Sequence, residues 1–184
     1  MLEAGLPKLR QPVIVAERDG APVAVLGGQL SLGPSDSKGL PALALLPAGP
    51  VETLGAAGFR ARHGVRFAYY AGAMANGIAS EDLVIALGQA GLLGFFGAAG
   101  LAPARIAAAI ARVQGALGDR PYGFNLINSP NEPVWQEAVA DLYIQHGVRL
   151  VEASAYVSLS LPLIKYRVHG IHRDASGRVI APNR

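Results

Sequence analysis

The sequence predicts an α/β fold: a parallel sheet of about four strand–helix units over residues 59–184, preceded by a small β-rich segment over residues 1–58. Three observations predict it. From about Gly64 onward, short apolar runs take turns with stretches whose apolar residues recur at helical spacing, and glycine or proline punctuates each pair. The apolar runs are continuous rather than alternating, which is how strands covered on both faces read. Strand–helix units repeated in this way imply right-handed crossovers, and therefore parallel pairing.

The elements follow in order. Residues 12–16 and 22–26 flank Arg18-Asp19-Gly20 and read as two strands about an Asp-Gly turn. A Gly/Pro/Ser stretch over 27–39 and an apolar run over 40–46 precede the break at Pro47-Ala48-Gly49-Pro50; this first segment is expected to be a cap or docking element. Residues 65–70 are β-prone, and 71–77 form a loop of small residues. Ser80 offers a cap oxygen with Glu81 and Asp82 in the first turn; Leu83, Val84, Leu87 and Ala90 supply the buried stripe, and Gly91 stops the helix. Residues 92–96 form the second strand. Pro103 opens a helix whose stripe is Ile106, Ile110, Val113 and Leu117, ended by Gly118-Asp119. Residues 122–127 form the third strand. Asn131 is expected to cap a helix with Trp135, Val139 and Leu142 on its core face and Gly147 at its end, and 148–155 form the fourth strand. A short helix over 159–166 and a polar hairpin over 167–180, turning at Asp174-Ala175-Ser176-Gly177, complete the chain.

Units of about 27 residues suit a closed barrel of eight, which needs roughly 250 residues. The chain is therefore expected to supply the N-terminal half of a TIM (β/α)8 barrel. Its composition agrees: of 184 residues 51% are hydrophobic and 16% charged, and surfaces meant for a missing half would stay apolar. The open edges of such a half sheet invite pairing with a second copy, so a homo-oligomer is one expectation.

Several function classes are disfavoured. With no cysteine, disulfides, thiolate nucleophiles and cysteine-bound metals are excluded, and a reducing cytoplasmic setting is expected. Residues 1–10 lack the apolar stretch of a signal peptide. Residues 83–104 contain one strongly polar side chain, Gln89, but Gly88, Gly91, Gly94, Gly97 and Gly100 interrupt them, so helix then strand explains them better than a membrane span. A net charge of +3 is too small and scattered for nucleic acid but suits an acidic partner. No G-x-S-x-G, P-loop or H-E-x-x-H motif occurs, and Gly94, Gly97 and Gly100 lack dinucleotide-fingerprint spacing. His169 and His172 beside Asp174 read as solvated basic surface rather than a metal site, and no metal is expected.

Three stretches carry a family resemblance: Ala71-Gly72-Ala73-Met74-Ala75-Asn76-Gly77-Ile78-Ala79-Ser80, Gly91-Leu92-Leu93-Gly94-Phe95-Phe96-Gly97-Ala98-Ala99-Gly100, and Pro121-Tyr122-Gly123-Phe124-Asn125-Leu126-Ile127. Together with Val151-Glu152-Ala153-Ser154-Ala155 they resemble the enoyl reductases of polyunsaturated fatty acid synthases and trans-acting polyketide synthases, which are similar in turn to nitronate monooxygenases. The resemblance covers residues 60–184 well and the first segment loosely. It implies an FMN-bearing TIM barrel that takes hydride from NADPH and reduces an enoyl thioester carried on an acyl carrier protein. Two other readings stand beside it: a nitronate monooxygenase-like flavin oxidase, and a noncatalytic half-barrel that binds a carrier protein or another partner.

Barrel sites lie where the strands end. Gly72, Ala73, Met74, Ala75 and Asn76 occupy such an end; their small side chains let a flat ring approach, and the Met74 sulfur can lie against it. The same residues also suit a tight loop that merely packs closely. Asn125, a lone amide in an apolar strand, can meet a flavin edge or bond a neighbouring loop. Glu152 can bind the flavin or its ribityl chain, or pair with Lys165, and Ser154 faces the same way. Lys165, Arg167, Arg173, Arg178 and Arg184 are candidates for docking an acidic carrier protein. In the family, a later segment supplies the catalytic histidine and the FMN phosphate site. None of His63, His146, His169 and His172 matches that histidine's motif, so no catalytic residue is assigned. This stretch alone is expected to hold FMN weakly and to reduce nothing.

Overall fold

The computed structural model describes residues 10–31 and 39–184. The chain divides into two compact units, Met1–Ala56 and Ala57–Arg184.

The first unit is a three-stranded antiparallel sheet of order β2-β1-β3. Strands β1 (Val13–Arg18) and β2 (Ala21–Leu26) pair from Val13↔Leu26 to Arg18↔Ala21. The two-residue turn between them puts Asp19 and Gly20 at φ 53° and 75°, the left-handed pair such a hairpin demands. The apolar run expected only as such is a third strand, β3 (Ala42–Leu46), on the other edge of β1. All five of its residues are exposed, so local pattern gave no inward face to read. Val13, Ala16 and Val23 form the small buried centre.

In the second unit the strands are β4 (Tyr70–Ala71), β5 (Leu93–Phe96), β6 (Gly123–Ile127) and β7 (Val151–Ser154), all parallel in the order β4-β5-β6-β7. Helix α1 (Ala57–His63) precedes them; α2 (Glu81–Gln89), α3 (Pro103–Leu117) and α4 (Pro133–Gln145) connect them. After β7 come α5 (Leu161–Val168) and a hairpin of β8 (His172–Arg173) and β9 (Val179–Ile180). This is an α/β parallel half-barrel sheet. At the open edge of β7 the backbone of Arg184 donates to Arg149 O and accepts from Val151 N, both at 2.8 Å, where a fifth parallel strand would lie.

The stripe of α3 holds: Ile106, Ile110, Val113 and Leu117 are all buried. With Val84, Val139, Tyr143 and Tyr166 they cover the outward residues Phe96, Phe124 and Leu126 of the sheet. Each such large side chain contributes about 1.5–3 kcal/mol by leaving water. Ser80 caps α2 through Leu83 N at 3.3 Å. Residues 83–104 divide into α2, β5 and the start of α3, and no helix of the described residues is long and apolar enough to cross a membrane.

Two local expectations are corrected and one helix is added. Residues 65–69 are not strand: the N–H groups of Arg66 and Phe67 both turn to Gly91 O, so only Tyr70 and Ala71 run beside β5. Helix α1, in the stretch taken as a domain boundary, has no buried residue and so no apolar stripe to betray it. Asn131 does not cap α4, because Pro133 takes the first helical position and leaves Glu132 as the cap, without a side-chain bond.

Arg105 grips the buried Glu81 with two hydrogen bonds, 2.5 and 3.0 Å, tying the first turns of α2 and α3 together. These bonds hold the Glu81 carboxyl below its ordinary value of 4.5, against the opposing effect of burial. A depressed folded value means stability present above pH 4.5 and lost as pH falls through the lowered pKa. Arg105→Met is expected to cost about 2 kcal/mol at pH 7, below the usual range for a broken buried pair because Arg105 is half exposed. Urea unfolding from pH 7 to 3 checks it: the variant's acid limb flattens.

Candidate functional site

Side chains alternate across the sheet, and the contacts settle which set faces inward. Phe96, Phe124 and Leu126 point to the helices, so Phe95, Gly123, Asn125, Glu152 and Ser154 share the concave face. Tyr70 joins them, its ring edge-on to Phe95 at 5.9 Å. A Cβ on Gly123 would lie 2.2 Å from the Phe95 ring, so glycine is what lets that ring cross the neighbouring strand.

The small-residue loop after β4 is stitched to the end of β5. Asn76 N donates to Ala99 O (2.8 Å), Gly77 N to Gly97 O (2.9 Å) and Gly97 N to Ala79 O (3.0 Å). Asn76 takes a left-handed φ of 57°, which an asparagine tolerates, and its side-chain oxygen lies over Gly100.

One bond crosses the whole sheet. Ala73 N donates to Glu152 Oε2 at 2.6 Å, although three strand spacings separate β4 from β7. On a flat sheet those spacings total about 14 Å. A glutamate side chain reaches only about 5 Å by its bond lengths. The sheet is therefore curled, and Glu152 spans its mouth. The carboxylate also lies 3.0 Å from where a Gly72 Cβ would be.

Asn125 is buried, and its amide nitrogen donates to Glu152 O (3.1 Å) and Ser154 Oγ (2.9 Å). Its backbone carbonyl accepts from the Tyr143 hydroxyl at 2.6 Å, a group whose pKa burial pushes up. The structure thus brings Gly72, Ala73, Asn125, Glu152 and Ser154 into one cluster at the strand ends. Met74, Ala75 and Asn76 lie exposed in the loop at the same end. Lys165 is not part of it: it pairs with Asp141 (2.5 Å) and Glu137 (3.6 Å) on α4, which removes the Glu152–Lys165 alternative.

The rim keeps unused polar groups. Among the described residues the N–H groups of Met74 and Ala75 have no acceptor, and Asn125 Oδ1 and Glu152 Oε1 have no donor. Donors and acceptors beside an exposed thioether suit a flat, partly apolar ligand with mixed hydrogen-bonding edges. No group of three or more metal-ligating side chains is assembled among the described residues.

Sequence reading missed Gln136. It is buried on α4, donating to Tyr156 Oη (2.6 Å) and Ser160 Oγ (3.0 Å) and accepting from Ser129 N (3.5 Å). It thereby fixes the loops that follow β6 and β7. The signal was present: Gln136, Val139, Ala140 and Tyr143 fall at i, i+3, i+4 and i+7, in phase where Trp135 is not.

No family model matches the chain. It is 40% identical over 134 residues to polyketide biosynthesis protein PksE of Bacillus subtilis, covering 72% of this chain and 18% of that protein. It is 44% identical over 131 residues to one of the polyunsaturated fatty acid synthase subunits of Thraustochytrium, covering 71% and 9%. Among solved structures, the enoyl reductase domain of MlnA, from the macrolactin biosynthesis cluster of Bacillus amyloliquefaciens, matches with TM-score 0.70 and 46% identity over 73% of this chain and 31% of that one. The chain spans less than a third of each of these proteins. Sharing sequence with synthase proteins and both sequence and fold with a reductase domain, the chain belongs to the enoyl reductase family of polyketide and polyunsaturated fatty acid synthases.

Proposed function

We propose that this chain forms the flavin-facing part of an FMN-dependent, NADPH-using enoyl reductase, acting in trans on enoyl thioesters borne by an acyl carrier protein. The carrying observation is the rim itself: Glu152 braces Ala73 across the sheet while the neighbouring N–H groups of Met74 and Ala75 stay open. FMN fits these residues, since its ring has apolar faces and its edge carries both acceptors and an N–H. When bound, the flavin would relay hydride from nicotinamide to the β-carbon of the enoyl group. The protein's part is to bind and orient. Met74 and Ala75 would donate to ring acceptors, Asn125 Oδ1 would accept from the ring N–H, and the exposed Met74 side chain would rest on one face. Glu152 and Ser154 hold the frame: one pins the loop, and the other accepts from the Asn125 amide nitrogen and leaves its oxygen without a donor among the described residues.

The test is FMN titration followed by flavin fluorescence. Wild-type chain is expected to quench weakly but saturably, and Asn125→Leu, close in volume but without the amide, to abolish saturation. Wild type that never saturates, or a leucine variant that binds as well, would count against the reading.

A further inference from the structure

All four histidines and most arginines of the second unit lie at one end of it, the end where the parallel strands begin. Arg62 and His63 close α1, Arg120 sits between α3 and β6, and His146 and Arg149 lie between α4 and β7. Arg167 ends α5; His169, His172, Arg173 and Arg178 belong to the hairpin region; Arg184 pairs with the start of β7. The seven arginines Arg62, Arg120, Arg149, Arg167, Arg173, Arg178 and Arg184 are all exposed. Among the described residues none has a carboxylate partner: Arg149, Arg167, Arg173 and Arg184 donate only to an asparagine side chain or backbone carbonyls. The acids at this end are Asp119 and Asp174, and Asp174 is engaged by its own turn. At the opposite end the connections after β4, β5, β6 and β7 contain no Lys or Arg, and Arg105 and Arg112 on α3 are paired with Glu81 and Asp82.

Helix C-termini point to this end, so part of the surplus complements their dipoles. That does not account for Arg173 and Arg178, which sit on a hairpin. Exposed Val168, Ile171 and Val179 lie among these arginines. Aliphatic area mixed with arginine is the make-up of a protein interface, whereas nucleic-acid surfaces need aromatic platforms and close-set cations.

We propose that this arginine-rich end is a docking face for an acidic protein surface, and that a partner seated there is held on the side of the sheet away from the rim. It deepens the partner side of the proposed function. A carrier protein bound here would be tethered to the enzyme without presenting its thioester to the Ala73–Glu152 mouth, so anchoring and substrate delivery become separate events.

The probe is an acyl carrier protein of such a synthase in its apo form, without the phosphopantetheine arm, so that nothing can enter the rim. Binding measured by biolayer interferometry is expected to weaken with added salt, and about tenfold or more on Arg173→Glu/Arg178→Glu. Arg120→Glu, on a connection outside the hairpin, is expected to act in the same direction, and Arg112→Glu on the outer face of α3 to change nothing. Binding that needs the arm, that ignores both reversals, or that falls equally with Arg112→Glu would overturn the docking face. Tighter binding to duplex DNA or to anionic phosphatidylserine vesicles than to the carrier protein would overturn it too. None of these results touches the FMN titration, which fails or succeeds at the other end of the sheet.

Discussion

Glu152→Ala is expected to weaken FMN binding at least about tenfold, the worth of roughly one charge-assisted hydrogen bond, while leaving the fold's cooperativity intact. Among the described residues Glu152 makes the one bond that holds the loop after β4 against β7, and its side chain is half-buried. Without it, Ala73 N–H has no partner and the loop no brace across the mouth. Two readouts separate this from general damage. Hydrogen exchange at the Ala73 amide should speed up, whereas amides of β6, bonded within the ladder, should keep their protection. Glu152→Gln, which keeps an acceptor but not the charge, should fall between wild type and alanine. An alanine variant with unchanged Ala73 exchange would show that the brace is not what orders the loop.

Gly97→Ala should be more damaging than its size suggests. A Cβ there would sit 1.5 Å from Met74 O and 2.4 Å from its carbonyl carbon, and backbone cannot rotate aside as a flexible side chain can. Either the rim loop leaves the end of β5, losing the bonds at Asn76 and Gly77, or β5 itself shifts. We expect a loss of about 2–3 kcal/mol, in the range of overpacked sites, together with loss of flavin quenching. Gly115 provides the contrast: it lies in α3 with nothing within 4 Å of its would-be Cβ. Gly115→Ala should stabilise by up to about 1 kcal/mol through helix propensity alone. Thermal melts of the two variants should therefore move in opposite directions.

Much of this architecture was legible because local rules and tertiary packing agree. Ser80 caps where a serine before two acids should, Asp19-Gly20 turns, and the four-residue stripe of α3 is the one that is buried. What escaped was set by distant partners. Residues 65–69 have strand propensity, but Gly91 O draws their amides into a bend. Helix α1 buries nothing, so it carries no amphipathic pattern. In the site, period two was enough to place Glu152 and Ser154 on one face, and β6–β7 register puts Asn125 beside them. The bond from Ala73 to Glu152 was not foreseeable. Its partners are 79 residues apart and meet only because the sheet curls, which is a property of four strands together and of none alone.

The strand order also bears on how such a chain acquires its shape. Each parallel strand pairs with the one synthesised just before it, β5 on β4, β6 on β5, β7 on β6, so no pairing awaits a remote segment. A sheet of this kind can lengthen from one side while the ribosome is still working, each addition closing a loop of modest entropy. Arg184, bonded to Arg149 and Val151, lies along the outer edge of β7, the last of the four strands to join.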